Sequence, residues 1–192
     1  MNFMKIDFEK IFIETEALMR GHFILSSGKH SDTYFQCAKV LQYPKYLNLF
    51  AQELYKKFEN LNFDKVISPA IGGIVLGTEV GRRFDKRTIF CERESGKMSL
   101  RRGFSIERGE KILIIEDVLS TGGSIQEVIK LINSIGGEVV GIGVIVDRSL
   151  MPIHLHENFQ SLCKLKAQIF EKENIPNSLK SIVPIKPGTN KK

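Results

Sequence analysis

The chain has 192 residues, 42% of them hydrophobic and 26% charged, with a formal net charge of +6. That length suits one ordinary domain or one with a small appendage, and the balance excludes a disordered or fibrous chain. No apolar run approaches the roughly 18–20 residues of a membrane span, and the mixed N-terminus MNFMKIDFEK is not a secretory leader. Three cysteines (Cys37, Cys91, Cys163) lack the CxxC spacing of a metal knuckle, so a reduced cytoplasmic protein with no membrane partner is expected.

Residues 4–20 (MKIDFEKIFIETEALMR) carry helical spacing, with Phe8, Ile11, Phe12, Leu18 and Met19 facing inward and Gly21 as the stop. HFILSSGKHSDTYFQC reads as a hairpin around Gly28, and residues 45–59 as a second helix. From residue 64 the rhythm changes. DKVIS is a strand, PAIGG a turn, IVLGTEVGRRF a helix and RTIFCE a strand. KILIIED is again a strand, SIQEVIKLINSIGG a helix closed by Gly136 and Gly137, and EVVGIGVIVDRS a strand. These strands are unbroken aliphatic runs, which marks a sheet buried on both faces. The fold expected is α/β: a central, mainly parallel sheet flanked by helices, with a small N-terminal hood of helix and hairpin. The hood takes residues 1–44 and the core 45–160. The tail, 161–192, is expected to form a helix over 161–172 and then irregular chain past Pro176, Pro184 and Pro187.

Ligands of such sheets gather at the carboxyl ends of the strands. Three of those ends are unusual: PAIGG, EDVLSTGGS and DRS. In the second, Ser120, Thr121, Gly122, Gly123 and Ser124 lie between a strand and a helix N-terminus. Glycine lets a ligand approach the backbone, the first helical N–H groups are unpaired, and the dipole favours an anion. The loop is neither GxxxxGK[ST] nor GxGxxG, so a monophosphate fits better than a triphosphate or dinucleotide. Glu116 and Asp117 on the same rim cannot serve the phosphate. They suit vicinal hydroxyls, as on a ribose, or help to hold Mg²⁺.

IIEDVLSTGGS resembles the phosphoribosyl pyrophosphate (PRPP) signature of type I phosphoribosyltransferases. The resemblance implies that Glu116 and Asp117 hold the ribose hydroxyls while Val118 and Leu119 lead into the 5′-phosphate loop, Ser120–Ser124. GHFILSSGKHSDTYFQ, SPAIGGIVLG, CERESGKMSLRRGF and VDRS resemble, in that order, segments of orotate phosphoribosyltransferases, closest to a short bacterial branch. The likeness spans about residues 18–150. It implies transfer of ribose 5-phosphate from PRPP to orotate, with Mg²⁺ carried mainly by PRPP and no metal ligand assigned to the chain. It also implies a homodimer whose mobile basic loop is shared between subunits.

By the same likeness Ala70, Ile71, Gly72 and Gly73 hold pyrophosphate, and Ser120, Arg148, Tyr34 and Phe35 contact orotate. An arginine fork matches the orotate carboxylate in two bonds. Arg93 and Lys97 are the candidate catalytic cations for the leaving group beside Asp117, with Arg101 and Arg102 in support. The chain departs from some family members at Ser26 and Gly72, where those carry lysine, and its basic loop has no histidine; Lys29, Lys97 or Arg102 are the candidates to take over. His30, His154 and His156 receive no catalytic role. Two other readings stand beside this one. One is a phosphoribosyltransferase for another base. The other is a PRPP-sensing nucleic-acid regulator, which the +6 charge permits, although no helix-turn-helix or RNA-binding signature accompanies it.

Overall fold

A computed structural model describes residues 6–25 and 27–187. Met4 and Lys5 of the expected first helix, Ser26 and the terminal lysines therefore lie outside the described residues. In chain order the elements are α1 (Phe8–Glu14), β1 (Leu18–Ile24), β2 (His30–Phe35), α2 (Ala38–Leu41), α3 (Pro44–Phe58), β3 (Lys65–Pro69) and α4 (Gly72–Phe84). There follow β4 (Arg87–Glu94), β5 (Lys97–Leu100), β6 (Lys111–Leu119), α5 (Gly123–Ile135), β7 (Glu138–Asp147), β8 (Phe159–Lys164), β9 (Ile169–Phe170) and α6 (Asn177–Lys180). They form two compact units. One joins the chain up to Val40 with the chain from Lys166 onward, and the other is Leu41–Leu165.

In the first unit β1, β2 and β9 make a three-stranded antiparallel sheet in that order. The expected hairpin is β1–β2. The first helix is shorter than its apolar spacing suggests. Asp7 caps it by accepting from the Lys10 N–H at 3.0 Å, and the Thr15 hydroxyl turns back on the Ile11 carbonyl at 2.8 Å. Glu16 then takes a left-handed φ of 54°. Leu18 and Met19 therefore belong to β1 and not to a helical face, and Gly21 lies inside the strand. Pairing with β2 wins here because it satisfies a whole row of backbone groups that an extended helix end would leave open. Phe12, fully buried, meets Phe35 edge-on at 5.0 Å between ring centres.

The second unit is built on a six-stranded sheet in the order β5-β4-β3-β6-β7-β8. All pairings are parallel except β4 with β5. Every residue of β3 is buried, and so is the run Ile112–Ile115 of β6, which explains their continuous aliphatic sequence. On one face Ile125, Val128 and Ile132 of α5 pack into a cluster with Ile67, Ile89, Ile112, Ile114, Ile142 and Val144. Each of those helical side chains contributes about 1.5–3 kcal/mol by leaving water. On the other face Phe58 and Leu54 of α3 press on Gly143, where a Cβ would lie 2.8 Å from Phe58 Cε2. From β3 the chain moves outward to β4, and from β6 it moves the other way to β7. The strand order reverses between β3 and β6, and their carboxyl ends flank the switch point.

The tail departs from expectation. Residues 161–172 contain no α-helix; they supply most of β8, then β9 and the start of a 3-10 turn, Lys172–Asn174. β8 pairs with β7 from Ile142↔Phe159 to Asp147↔Lys164, so an open sheet edge decides the matter against a weak helical pattern.

Candidate active site

β6 runs two residues further than the expected KILIIED, through Leu119, and carries both acids near its carboxyl end. Beyond it Gly122 adopts φ 78°, ψ 0°, and α5 begins there with no side-chain cap. The first helical bond runs from the Gln126 N–H to the Gly122 carbonyl at 2.9 Å. The amides of Gly123, Ser124 and Ile125 thus head the helix outside its hydrogen-bond ladder. They open on a cavity of about 180 Å³ lined by Glu116 and by Val118–Ile125. The three hydroxyls of Ser120, Thr121 and Ser124 ring it. The cavity coincides with the loop that the sequence singles out for an anion, at the switch point.

Glu116 is 8% exposed. Burial first, then the charge of Asp117 and a hydrogen bond with it, pushes the Glu116 carboxyl from its ordinary 4.5 up to about 8. A carboxyl raised in this way keeps its proton to higher pH than an ordinary glutamate and can then donate as well as accept. Both acids lean on the turn after β3. A Cβ on Gly72 would lie 2.7 Å from Asp117 Oδ2, and one on Gly73 would lie 3.3 Å from Glu116 Oε1. The two glycines therefore make room for the acid pair. In that turn the Ala70 N–H donates to the Cys91 carbonyl at 2.8 Å, the Ala70–Ile71 peptide is cis, and Ile71 is 85% exposed. α4 begins at Gly72, again without a side-chain cap. Two helix N-termini thus follow adjacent strands at one rim, and a third strand end joins them. The Arg148 N–H donates to the Leu119 carbonyl at 2.7 Å, fixing half-buried Arg148 beside Ser120. The carboxylate of Asp147 is taken by the Ser149 N–H (2.9 Å), the Ser149 hydroxyl (2.6 Å) and Lys164 Nζ (3.5 Å).

The basic segment expected as a mobile loop is paired as the hairpin β4–β5. Ser95 (φ 49°) and Gly96 (φ 81°) form its two-residue turn, both in the left-handed region that hairpin turns need. Its Ser-Gly dipeptide between two short runs was the available signal. The cations are not equivalent. Arg102 forks onto Glu92 at 2.8 and 3.0 Å, and Arg101 lies 3.4 Å from Glu94. Arg93 pairs with Glu127 of α5 at 2.7 Å. Lys97 is exposed at the tip, in register with Glu94. Glu127 was missed from the sequence, where nothing but its place four residues after Gly123 singled it out.

In the first unit Phe35 is 6% exposed and belongs to the local core. Tyr34 is half-buried, with its hydroxyl 3.3 Å from Gln36 Oε1, and it is the more accessible of the expected base contacts. The cysteines are free thiols. Burial pushes Cys91 up to about 12, which leaves it no nucleophilic character near neutrality. Among the described residues no three His, Cys, Asp or Glu side chains converge as a metal cage, and no helix is long and apolar enough to cross a membrane.

Comparison with known proteins gives the same outline. A phosphoribosyl transferase domain matches residues 38–172. The chain is 52% identical to an orotate phosphoribosyltransferase of Caldanaerobacter subterraneus subsp. tengcongensis, over 95% of its own length and 96% of that protein. It is 50% identical to one of Thermoanaerobacter sp. strain X514, over 95% and 96%. Among solved structures it is similar to the orotate phosphoribosyltransferase of Aeropyrum pernix, with a TM-score of 0.71 and 23% identity, covering 83% of this chain and 94% of that one. The last likeness speaks for the fold alone.

Proposed function

This chain belongs to the orotate phosphoribosyltransferases of the phosphoribosyl transferase family, and on that premise we propose how its residues transfer ribose 5-phosphate from PRPP to orotate. The products are orotidine 5′-phosphate and pyrophosphate, a step of pyrimidine nucleotide synthesis. The observation that carries the reading is the uncapped α5 N-terminus opening directly beyond Glu116 and Asp117, beside the turn after β3.

The 5′-phosphate sits on the amides of Gly123, Ser124 and Ile125, with the hydroxyls of Ser120, Thr121 and Ser124 as added donors. Asp117 and Glu116 accept from the ribose hydroxyls. The sugar is then held at both ends, and C1 faces the base. A ring nitrogen of orotate, giving up its proton to solvent, forms the new bond to C1 while the C1–oxygen bond breaks and its electron pair leaves with pyrophosphate. Negative charge grows on the leaving group, so donors belong there. The turn Ala70–Gly73 and the α4 N-terminus supply amides, and Arg93 and Lys97 supply positive charge. Arg148 matches the orotate carboxylate as a fork, beside Ser120.

Mg²⁺ fits this site as an ion brought by PRPP. Such an ion takes one or two carboxylates from a protein and fills its shell with phosphate oxygens and water, and Asp117 at this rim would supply one. When bound, it offsets charge on the leaving pyrophosphate. The reading includes a cytoplasmic homodimer that shares this hairpin between subunits, its exposed tip with Lys97 serving the partner's site while Arg93 stays with its own; the support is that exposed tip, the Arg93–Glu127 pair and the three free thiols. Sedimentation of the purified chain tests the dimer.

The assay for the function follows orotate absorbance with PRPP and Mg²⁺. Loss of orotate with formation of its nucleotide is expected. A folded protein that leaves orotate untouched, or turns over a base lacking a carboxylate in preference, would overturn the reading.

A further inference from the structure

Arg93 differs from the other arginines of its hairpin. Arg101 and Arg102 pair with Glu94 and Glu92, which lie on β4 itself. Arg93 reaches across to α5: its Nη1 lies 2.7 Å from Glu127 Oε2, and its Nη2 donates to Glu127 Oε1 at 3.0 Å. Glu127 stands four residues after Gly123, the first residue of α5. Four residues rise about 6 Å along a helix, and helical side chains lean toward the N-terminus. The Glu127 side chain therefore leans toward the N-terminal turn of α5, and its carboxylate pairs with the guanidinium on that side. Arg93 also stands two residues past Cys91, which is in register with Pro69 at the mouth of the Ala70–Gly73 turn. One cation is thus tied to the first turns of α5 close in the fold to the end of β3, where the Ala70–Gly73 turn begins.

Resting on the reading that PRPP binds this rim, we propose that Glu127 is a positioning residue that parks Arg93 beside the cradle and yields it to the anionic oxygens of PRPP. The strength of the pair suits an exchange. Its side chains are 49% and 37% exposed, and exposed ion pairs shift an equilibrium by roughly fivefold at most. A phosphate or diphosphate group, with more than one charge and several acceptor oxygens, bonds the same fork more strongly. Glu127 orients the guanidinium and competes weakly for it. Arg101 and Arg102 keep their hairpin partners and do not take part.

The test is steady-state kinetics of Glu127→Gln, which keeps the size and one acceptor oxygen but removes the charge. The KM for PRPP is expected to fall roughly two- to fivefold, with a smaller change in kcat, because the competitor is gone. Glu127→Asp, which restores the charge, should return KM toward the wild-type value. In an Arg93→Ala background Glu127→Gln should leave KM where it was. An unchanged or raised KM in Glu127→Gln, or the same shift without Arg93, overturns the proposal. Wild-type turnover of orotate separates the two levels. If the wild type consumes orotate and KM does not fall in the variant, the parking role alone fails; if the wild type does not consume orotate, both fail.

Discussion

Glu116→Gln isolates the electrostatics of the acid pair. Glutamine copies the shape of the protonated carboxyl and cannot ionise. In the folded chain burial and Asp117 push Glu116 up to about 8, from an ordinary value of 4.5. A raised value means that the folded chain holds this proton after the unfolded chain has lost it. The contribution is full below pH 4.5, declines as pH rises, and is gone above about 8. At about 1.4 kcal/mol per pH unit the ceiling over that interval is about 5 kcal/mol. Water at the open rim and relaxation of the buried charge reduce it, so about 2–3 kcal/mol is expected in practice. Wild type should therefore lose that much stability between pH 5 and pH 8.5 through this residue, and Glu116→Gln should not. For a chain of this size the difference appears as roughly 4–12 °C in relative Tm between the two pH values. Paired thermal and denaturant melts measure it. If the two proteins keep parallel pH profiles, Glu116 does not hold its proton in the fold.

Asp117→Asn should raise the Kd for PRPP by roughly tenfold, the worth of one charged hydrogen bond of about 1.5–3 kcal/mol at its lower end, while the melting curve barely moves; calorimetric titration measures it, and unaltered PRPP affinity would remove Asp117 from the ribose clamp. Arg148→Ala should raise the KM for orotate by tenfold or more and leave that for PRPP within about threefold, since a bidentate charged pair is lost at one substrate only; equal effects on both substrates would contradict its placement. Lys97→Ala should lower kcat by roughly tenfold or more with an unchanged Tm, because the side chain is exposed and acts on the leaving group; a wild-type rate would assign that work to another cation.

Local signals and distant ones fared differently in the sequence. The β6–loop–α5 unit could be read to within two residues because all its determinants are contiguous: an apolar run, small polar residues with two glycines, then Ile125, Val128 and Ile132 at helical spacing. The helix expected over residues 161–172 failed because β7 offered an open edge that no local pattern reports. The first helix was overextended because Leu18 and Met19 satisfy helical spacing equally well as strand residues, and β2 decides between the two. The basic segment reads from the sequence as a mobile loop with Arg93 and Lys97 as its leading cations and Arg101 and Arg102 in support. Its pairing into a hairpin, with Arg102 on Glu92 and Arg93 on Glu127, distinguishes them.

The sequence by itself determined the family, the α/β alternation and which residues meet at the rim's loops, since a small polar loop, an acid pair and an arginine at a strand end are all written in short contiguous strings. Only the tertiary structure decided how those strings act on one another. Strand order sets β3 beside β6, so Gly72 and Gly73 come to lie against Asp117 and Glu116, and burial there raises Glu116. The same packing lays the end of β4 by α5 and joins Arg93 to Glu127. Distances, burial and shared protons belong to pairs of residues far apart in the chain, and a pair acquires them only when the sheet has formed.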